Sequence, residues 1–226
     1  RVWGSIGFVV ANLGFGALLG WLGYGWLALL MLPALGLLAL SAWANADPPV
    51  ARVEDATHAG FKASVLPLLR EPALWVLLGA TMLMQIAHGS FYVFFSVYLD
   101  EHGYSAASIG AFWAAGVAAE IGMFLLIPWV LARVSAQRLM LICFSIGALR
   151  WVVTAVLPQA PIALVLAQGA HAFTFAAFHS ATIQTISGLF PGRSSGHGQA
   201  LLYGVGSGVG GVIGALIAGS LWEIGG

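Results

Sequence analysis

Charged side chains are scarce in this chain: 226 residues carry eight Lys plus Arg and eight Asp plus Glu, 7% in all, at zero formal net charge. That scarcity removes any electrostatic case for nucleic acid or an acidic partner, and no nucleic-acid role is expected. The one cysteine, Cys143, excludes an intrachain disulfide. Lying in an apolar run, it reads as a small packing residue. The one lysine, Lys62, lies in a polar segment, so no membrane lysine is present to form a retinal Schiff base. No phosphate-binding loop appears, and no clustered metal-ligand spacing. His88, His171 and His179 would collect a metal only by tertiary accident, so neither metal nor cofactor is expected. Ser207 stands among glycines, but position 205 is valine and the nucleophile-elbow spacing fails. No enzyme chemistry is expected.

What fills the chain is apolar sequence, 60% of its residues. A span needs about 20 mostly apolar residues to cross a bilayer core. Seven stretches meet that length: residues 4–22, 25–44, 73–99, 105–131, 139–157, 160–186 and 199–222. They are continuous, where a membrane β-barrel would show short segments of alternating polarity. The fold class expected is therefore all-α, a polytopic helical membrane protein. Arg1, Arg52, Lys62, Arg70, Arg133, Arg138 and Arg193 all fall on one set of alternating connections. Cytoplasmic loops retain positive charge, so those connections lie inside. A multi-pass location in a bacterial inner membrane is expected, with the lipid bilayer as partner and the protein a monomer. No signal-peptide pattern precedes the first span. An odd number of spans, a start at Arg1 and an end at Gly225-Gly226 lead us to expect a piece of a longer protein.

Residues 1–44 read as a helical hairpin turning at Gly23-Tyr24-Gly25, the end of one bundle. Residues 45–72 form the long polar segment, opened by Asp47-Pro48-Pro49, which stops the preceding helix. Within it Phe61, Val65, Leu66, Leu68 and Leu69 alternate with Lys62 and Arg70, the pattern of a short amphipathic helix on the inner membrane surface. Residues 73–226 hold five spans of a second bundle. Ser105 is placed to cap one of them. Gly4, Gly7, Gly16 and Gly20 in the first span, and Gly204 to Gly214 in the last, suit close helix contact.

Ionisable residues at bilayer depth are costly and mark a pathway, a relay or a binding site. Glu120 lies 13 residues from Arg133 at the inner end of its span, and Arg150 lies 12 from Arg138. At 1.5 Å per residue the two sit within about 2 Å of one depth, near the membrane middle. They are expected to face each other or share a cavity, where a carboxylate can take up a proton as its partner withdraws. The bland reading is a permanent pair that only holds two helices together. Gln85 and His88 share a face of the third span, and Gln168, His171 and Thr174 share one of the sixth. His179 lies further in, about 80° round that helix. Asn12 reads as interhelical glue. Phe91, Phe95 and Tyr98 lie on the face of His88 and suit an apolar slot for an aromatic ligand.

Several stretches resemble the major facilitator transporters of the lactose permease and phenylpropionate permease branch. The opening Arg1-Val2-Trp3-Gly4-Ser5-Ile6-Gly7-Phe8 is similar to the start of the fifth helix there. Phe91-Tyr92-Val93-Phe94-Phe95-Ser96-Val97-Tyr98-Leu99, Phe190-Pro191-Gly192-Arg193 and His179-Ser180-Ala181-Thr182-Ile183-Gln184 resemble the phenylpropionate group. The resemblance implies helices five to eleven of a twelve-helix fold, with the polar segment as the central cytoplasmic loop. It sets Arg1 at a sugar-binding arginine, Arg150 at a proton-coupling arginine and His171 at the coupling histidine. Thr174 stands where that group has its coupling glutamate, and Val117 where it has a substrate-side glutamate, one turn from Glu120. His88 replaces an acidic residue, and the last span has no lysine.

Together these readings lead us to expect a secondary transporter, proton-coupled, moving a small organic solute by alternating access. An aromatic carboxylate leads, with a sugar or nucleoside next. Glu120, Arg150 and His171 are assigned to proton coupling, and Arg1, His88, Gln85, Phe91, Gln168 and His179 to substrate. The competing class is a non-transporting seven-span sensor or membrane enzyme.

Overall fold

A computed structural model describes residues 2–44 and 65–225. Arg1, the Asn12 and Arg193 side chains, and Phe61 and Lys62 of the expected amphipathic helix lie outside the described residues; of the rest of that segment, Leu68–Arg70 form a single 3-10 turn. The helices are α1 (Val2–Leu22), α2 (Leu27–Ala44), α3 (Pro72–Glu101), α4 (Ala106–Leu131), α5 (Ala136–Val156), α6 (Pro161–Leu189) and α7 (Ser195–Ile224). The last five are each long and apolar enough to cross a membrane, and Ala28–Ala44 is a shorter apolar helix.

The chain divides into two compact units, Ile6–His58 and Ala59–Gly226 with Arg1–Ser5. The first holds a hairpin whose turn carries Gly23 at φ +88, a left-handed conformation that a side chain would strain. The second unit holds the five long helices.

Local sequence explains where those five begin. Pro72 and Pro161 stand at the first turn of α3 and α6, where a missing N–H costs nothing. Ser105 and Ser135 cap α4 and α5, each hydroxyl accepting from the N–H three residues on. On α3 the buried residues Leu74, Leu77, Leu78, Thr81, Met84, His88, Phe91, Phe95 and Leu99 recur every three or four positions, one stripe at the helical period. Val76, Leu83, Val93 and Val97 face outward, as suits lipid.

α3 runs along α7, while α6 packs against both α4 and α5. The α3–α7 contact is made by glycine: a Cβ at Gly206 would stand 2.8 Å from Thr81 Cγ2, one at Gly210 2.8 Å from the Met82 carbonyl, and one at Gly214 2.8 Å from the Ile86 carbonyl. The expectation of close contact on the first span is not met at Gly4 and Gly7, where an added Cβ has nothing within 4 Å among the described residues.

Two features have no counterpart in the sequence reading. α6 widens to a π-helical stretch at Phe173–Ala177, and α7 does so at Leu202–Val209. Such wide turns recur at functional sites, because the extra residue re-aims side chains. Both contribute to one cavity of about 210 Å³, through Thr174 and Phe175 on one side and Leu202, Tyr203 and Ser207 on the other.

Candidate functional site

Buried polar residues from each of α3, α4, α5 and α6 meet at one point. Glu120 from α4 accepts from His171 Nε2 of α6 at 2.9 Å. The other ring nitrogen of His171, Nδ1, faces Arg150 Nη1 of α5 at 2.9 Å. Arginine donates and never accepts, so Nδ1 must be the acceptor and Nε2 carries the hydrogen. His171 is therefore the neutral imidazole, and it joins the carboxylate to the guanidinium. Glu120 and Arg150 share a depth, as expected, but they meet through this ring rather than by the direct pairing that two facing charges suggest.

The network continues to α3. Arg150 Nη1 also lies 3.2 Å from Thr174 Oγ1 and 3.4 Å from His88 Nε2. It has two hydrogens, and the two shorter contacts, to His171 Nδ1 and Thr174 Oγ1, claim them. His88 Nδ1 donates to the Met84 carbonyl at 2.8 Å, which leaves His88 Nε2 as an acceptor. The Thr174 hydroxyl has one hydrogen to give and lies 3.2 Å both from His88 Nε2 and from the His171 carbonyl, to which it donates within its own helix. Glu120, His171 and Arg150 thus form a directed chain of hydrogen bonds, with Thr174 and His88 packed against its cationic end. With one carboxylate and one guanidinium between neutral imidazoles, the cluster is charge-balanced. That balance is what makes burial of Glu120 and Arg150 tolerable.

Aromatic rings enclose the cation. Arg150 Cζ lies 4.3 Å from the Phe91 ring centroid and 4.2 Å from that of Trp151, both within cation–π range. Trp113 and Phe95 back Phe91 in turn. Phe91, Phe95 and Tyr98 do share a wall, the slot expected for an aromatic ligand. With Phe94, Trp151 and Trp222 they border a cavity of about 760 Å³ that reaches Glu101 and His102 at the outer end of α3. The smaller cavity lies toward the inner side of the same centre and is bordered by Gln85, His88, Tyr92, Thr174 and His179. The Arg150 cluster stands between the two.

The family described as MFS_1 like family matches the chain over residues 1–226. The chain belongs to the MFS_1 like family. A curated relative, "Probable 3-phenylpropionic acid transporter" of Escherichia coli (strain K12), is 31% identical over 192 residues. The match takes in 83% of this chain and 48% of the relative, so the chain spans about half the length of the curated relative it matches. No solved structure matches it. Membership places this chain in a major facilitator family of multi-pass integral membrane proteins.

The structure brings Glu120, Arg150, His171, His88 and Phe91 together. Gln168 lies one turn before His171 and is buried. Its Oε1 is without a hydrogen-bond partner among the described residues and would stand 3.1 Å from a Cβ at Gly116. Gln85 and His179 border the inner cavity and not the cluster, and His179 Nε2 lies 3.4 Å from the Tyr203 hydroxyl. Arg1 lies outside the described residues. The sequence reading passed over Trp151 and Tyr203. Trp151 had a local signal, since it directly follows a membrane arginine. Tyr203 had none, because its approach to His179 depends on how α6 and α7 pack.

Thr174 gives a direct check on the relay. Thr174→Val keeps the shape but removes the hydroxyl, leaving one Arg150 hydrogen without its acceptor. The loss of a buried hydrogen-bonding partner costs about 1–3 kcal/mol. We expect thermal unfolding of the purified full-length protein to register a loss of that order. No change would mean that Thr174 is not a link in the network.

Proposed function

We propose that this chain belongs to a proton-coupled symporter of a small aromatic carboxylate that works by alternating access. Glu120 carries the proton, and His171 and Arg150 sense its charge state. The observation that carries the reading is the buried chain from Glu120 through His171 to Arg150. It sets a carboxylate one imidazole away from a cation that stands between an outer and an inner cavity. Major facilitator folds rock one bundle against the other around a midplane site. Residues 1–44 then supply the end of one bundle, residues 45–72 the central cytoplasmic loop, and residues 73–226 most of the second. His88, Gln85, Phe91, Gln168, His179 and Arg1 are the residues assigned to substrate. The aromatic walls and the relative's printed substrate, 3-phenylpropionic acid, favour an aromatic acid over a sugar or nucleoside.

The test is uptake into vesicles holding the full-length protein, with and without an inward proton gradient, across aromatic acids, sugars and nucleosides. Neutral aromatic acids permeate lipid, so initial rates are read above protein-free vesicles. Gradient-stimulated uptake of aromatic acids is the expected result. Saturable uptake with no gradient response would make the protein a facilitator and reduce Glu120 to a structural charge.

A further inference from the structure

Arg150 is 2% exposed, yet only one of its three nitrogens is in use. Nη1 serves His171 and Thr174, while Nε and Nη2 are buried without a hydrogen-bond partner among the described residues. Unpartnered buried donors are uncommon and call for a cause. These two are adjacent on the guanidinium plane, and their parallel N–H bonds form the fork that grips both oxygens of a carboxylate. The rings covering the guanidinium faces, Phe91 and Trp151, are also walls of the outer cavity. Two of its close neighbours, His88 and Thr174, are walls of the inner one. A carboxylate arriving from either cavity reaches the fork by displacing a neighbour of the cation, and its aryl group then lies among aromatic rings.

The proton ties in through charge. With Glu120 ionised, the cluster is already balanced and a second anion is unwelcome. When Glu120 takes a proton from the medium, its negative charge is lost and Arg150 becomes a buried cation without a counter-charge. Other titratable groups facing the pair are His88 and Tyr92 on α3 and His171 on α6. None of them supplies an anion in the hydrogen-bond pattern observed. An incoming carboxylate restores the balance.

Resting on the symport reading above, we propose that the Nε and Nη2 edge of Arg150 binds the substrate carboxylate, which replaces Glu120 as counter-charge when Glu120 is protonated. One proton then travels with one monocarboxylate, and no net charge crosses the membrane.

The experiment uses the full-length protein in proteoliposomes, with 3-phenylpropionate as probe and 3-phenylpropionamide as its neutral isostere. A potassium–valinomycin potential is imposed in either direction on top of a fixed proton gradient. If one net charge moved per cycle, about 100 mV would alter the sustainable gradient roughly 50-fold. We expect gradient-stimulated uptake to be indifferent to the potential and the amide to fail as a competitor. Arg150→Lys keeps the charge but loses the planar fork. It should raise the half-saturating 3-phenylpropionate concentration by about tenfold or more, the scale set by one charge-assisted hydrogen bond. If uptake is gradient-stimulated but follows the potential, or the amide competes as well as the acid, the Arg150 assignment is overturned and symport stands. If no aromatic acid shows gradient-stimulated uptake, both are overturned. The wild-type comparisons decide the matter even if the variant does not fold.

Discussion

Glu120→Gln should abolish stimulation of uptake by a proton gradient while leaving substrate exchange across the membrane in place. The reasoning starts at the 2.9 Å contact with His171 Nε2. A glutamine carbonyl can accept the same hydrogen bond, so the local geometry survives. What it cannot do is alternate between charged and neutral. The variant is fixed in the form equivalent to protonated Glu120, with Arg150 lacking its counter-charge. Substrate anion then binds readily in both orientations and the loaded carrier reorients, which is exchange. The empty carrier has no way to restore charge balance, so net uptake stalls. One pH unit is worth about 1.4 kcal/mol per proton, a tenfold driving force, and the variant should show none of it. The measurement is paired: initial net uptake under a one-unit gradient, and counterflow of labelled against unlabelled substrate. Loss of both would point to a folding defect, and a binding measurement separates that case. Retention of gradient stimulation would move the proton to another group and leave Glu120 as a structural partner of His171.

Much of this arrangement was legible in the chain. Continuous apolar runs pointed to the five long helices of α3 to α7. Apolar character read alone places the start of α5 near residue 139, but the helix begins at Ala136. The difference is Ser135, which is polar yet caps the helix. The depth argument brought Glu120 and Arg150 to one level, and both do reach the same imidazole. Which partner Glu120 would choose was not legible. Its contact with His171 depends on α4 packing along α6, a tertiary fact with no local signature. The π-helical stretches were invisible for a related reason. A wide turn changes which residue faces inward without changing composition, and Thr174 sits in one of them. The resemblance to major facilitator transporters marked position 174 as a departure, a threonine where a glutamate stands in that group. Here the carboxylate beside His171 is Glu120 of α4, and the Thr174 hydroxyl lies 3.2 Å from both Arg150 Nη1 and His88 Nε2.

Gly89→Ala should be the most damaging small substitution in the bundle. Gly89 on α3 faces Gly214 on α7, and an added Cβ would come within 2.6 Å of Gly214 Cα. The collision is with backbone, so no side-chain rotation relieves it and one helix must shift. Moving α7 also strains its neighbouring contacts, because Gly210 and Gly214 already lie against the Met82 and Ile86 carbonyls. Overpacking of this kind typically costs about 1–3 kcal/mol and sometimes more, against a small gain in helix propensity for alanine. We expect a fall of about 5 °C in the unfolding midpoint of the full-length protein. Gly79→Ala on the same helix is the control, since a Cβ there meets nothing within 4 Å, and it should be neutral or slightly stabilising. The pair also separates two roles for the glycine seam. If Gly89→Ala unfolds early, the seam is static packing that holds α3 against α7. If it keeps its melting point but loses uptake, the two helices move past one another during transport, and the added methyl group blocks that motion.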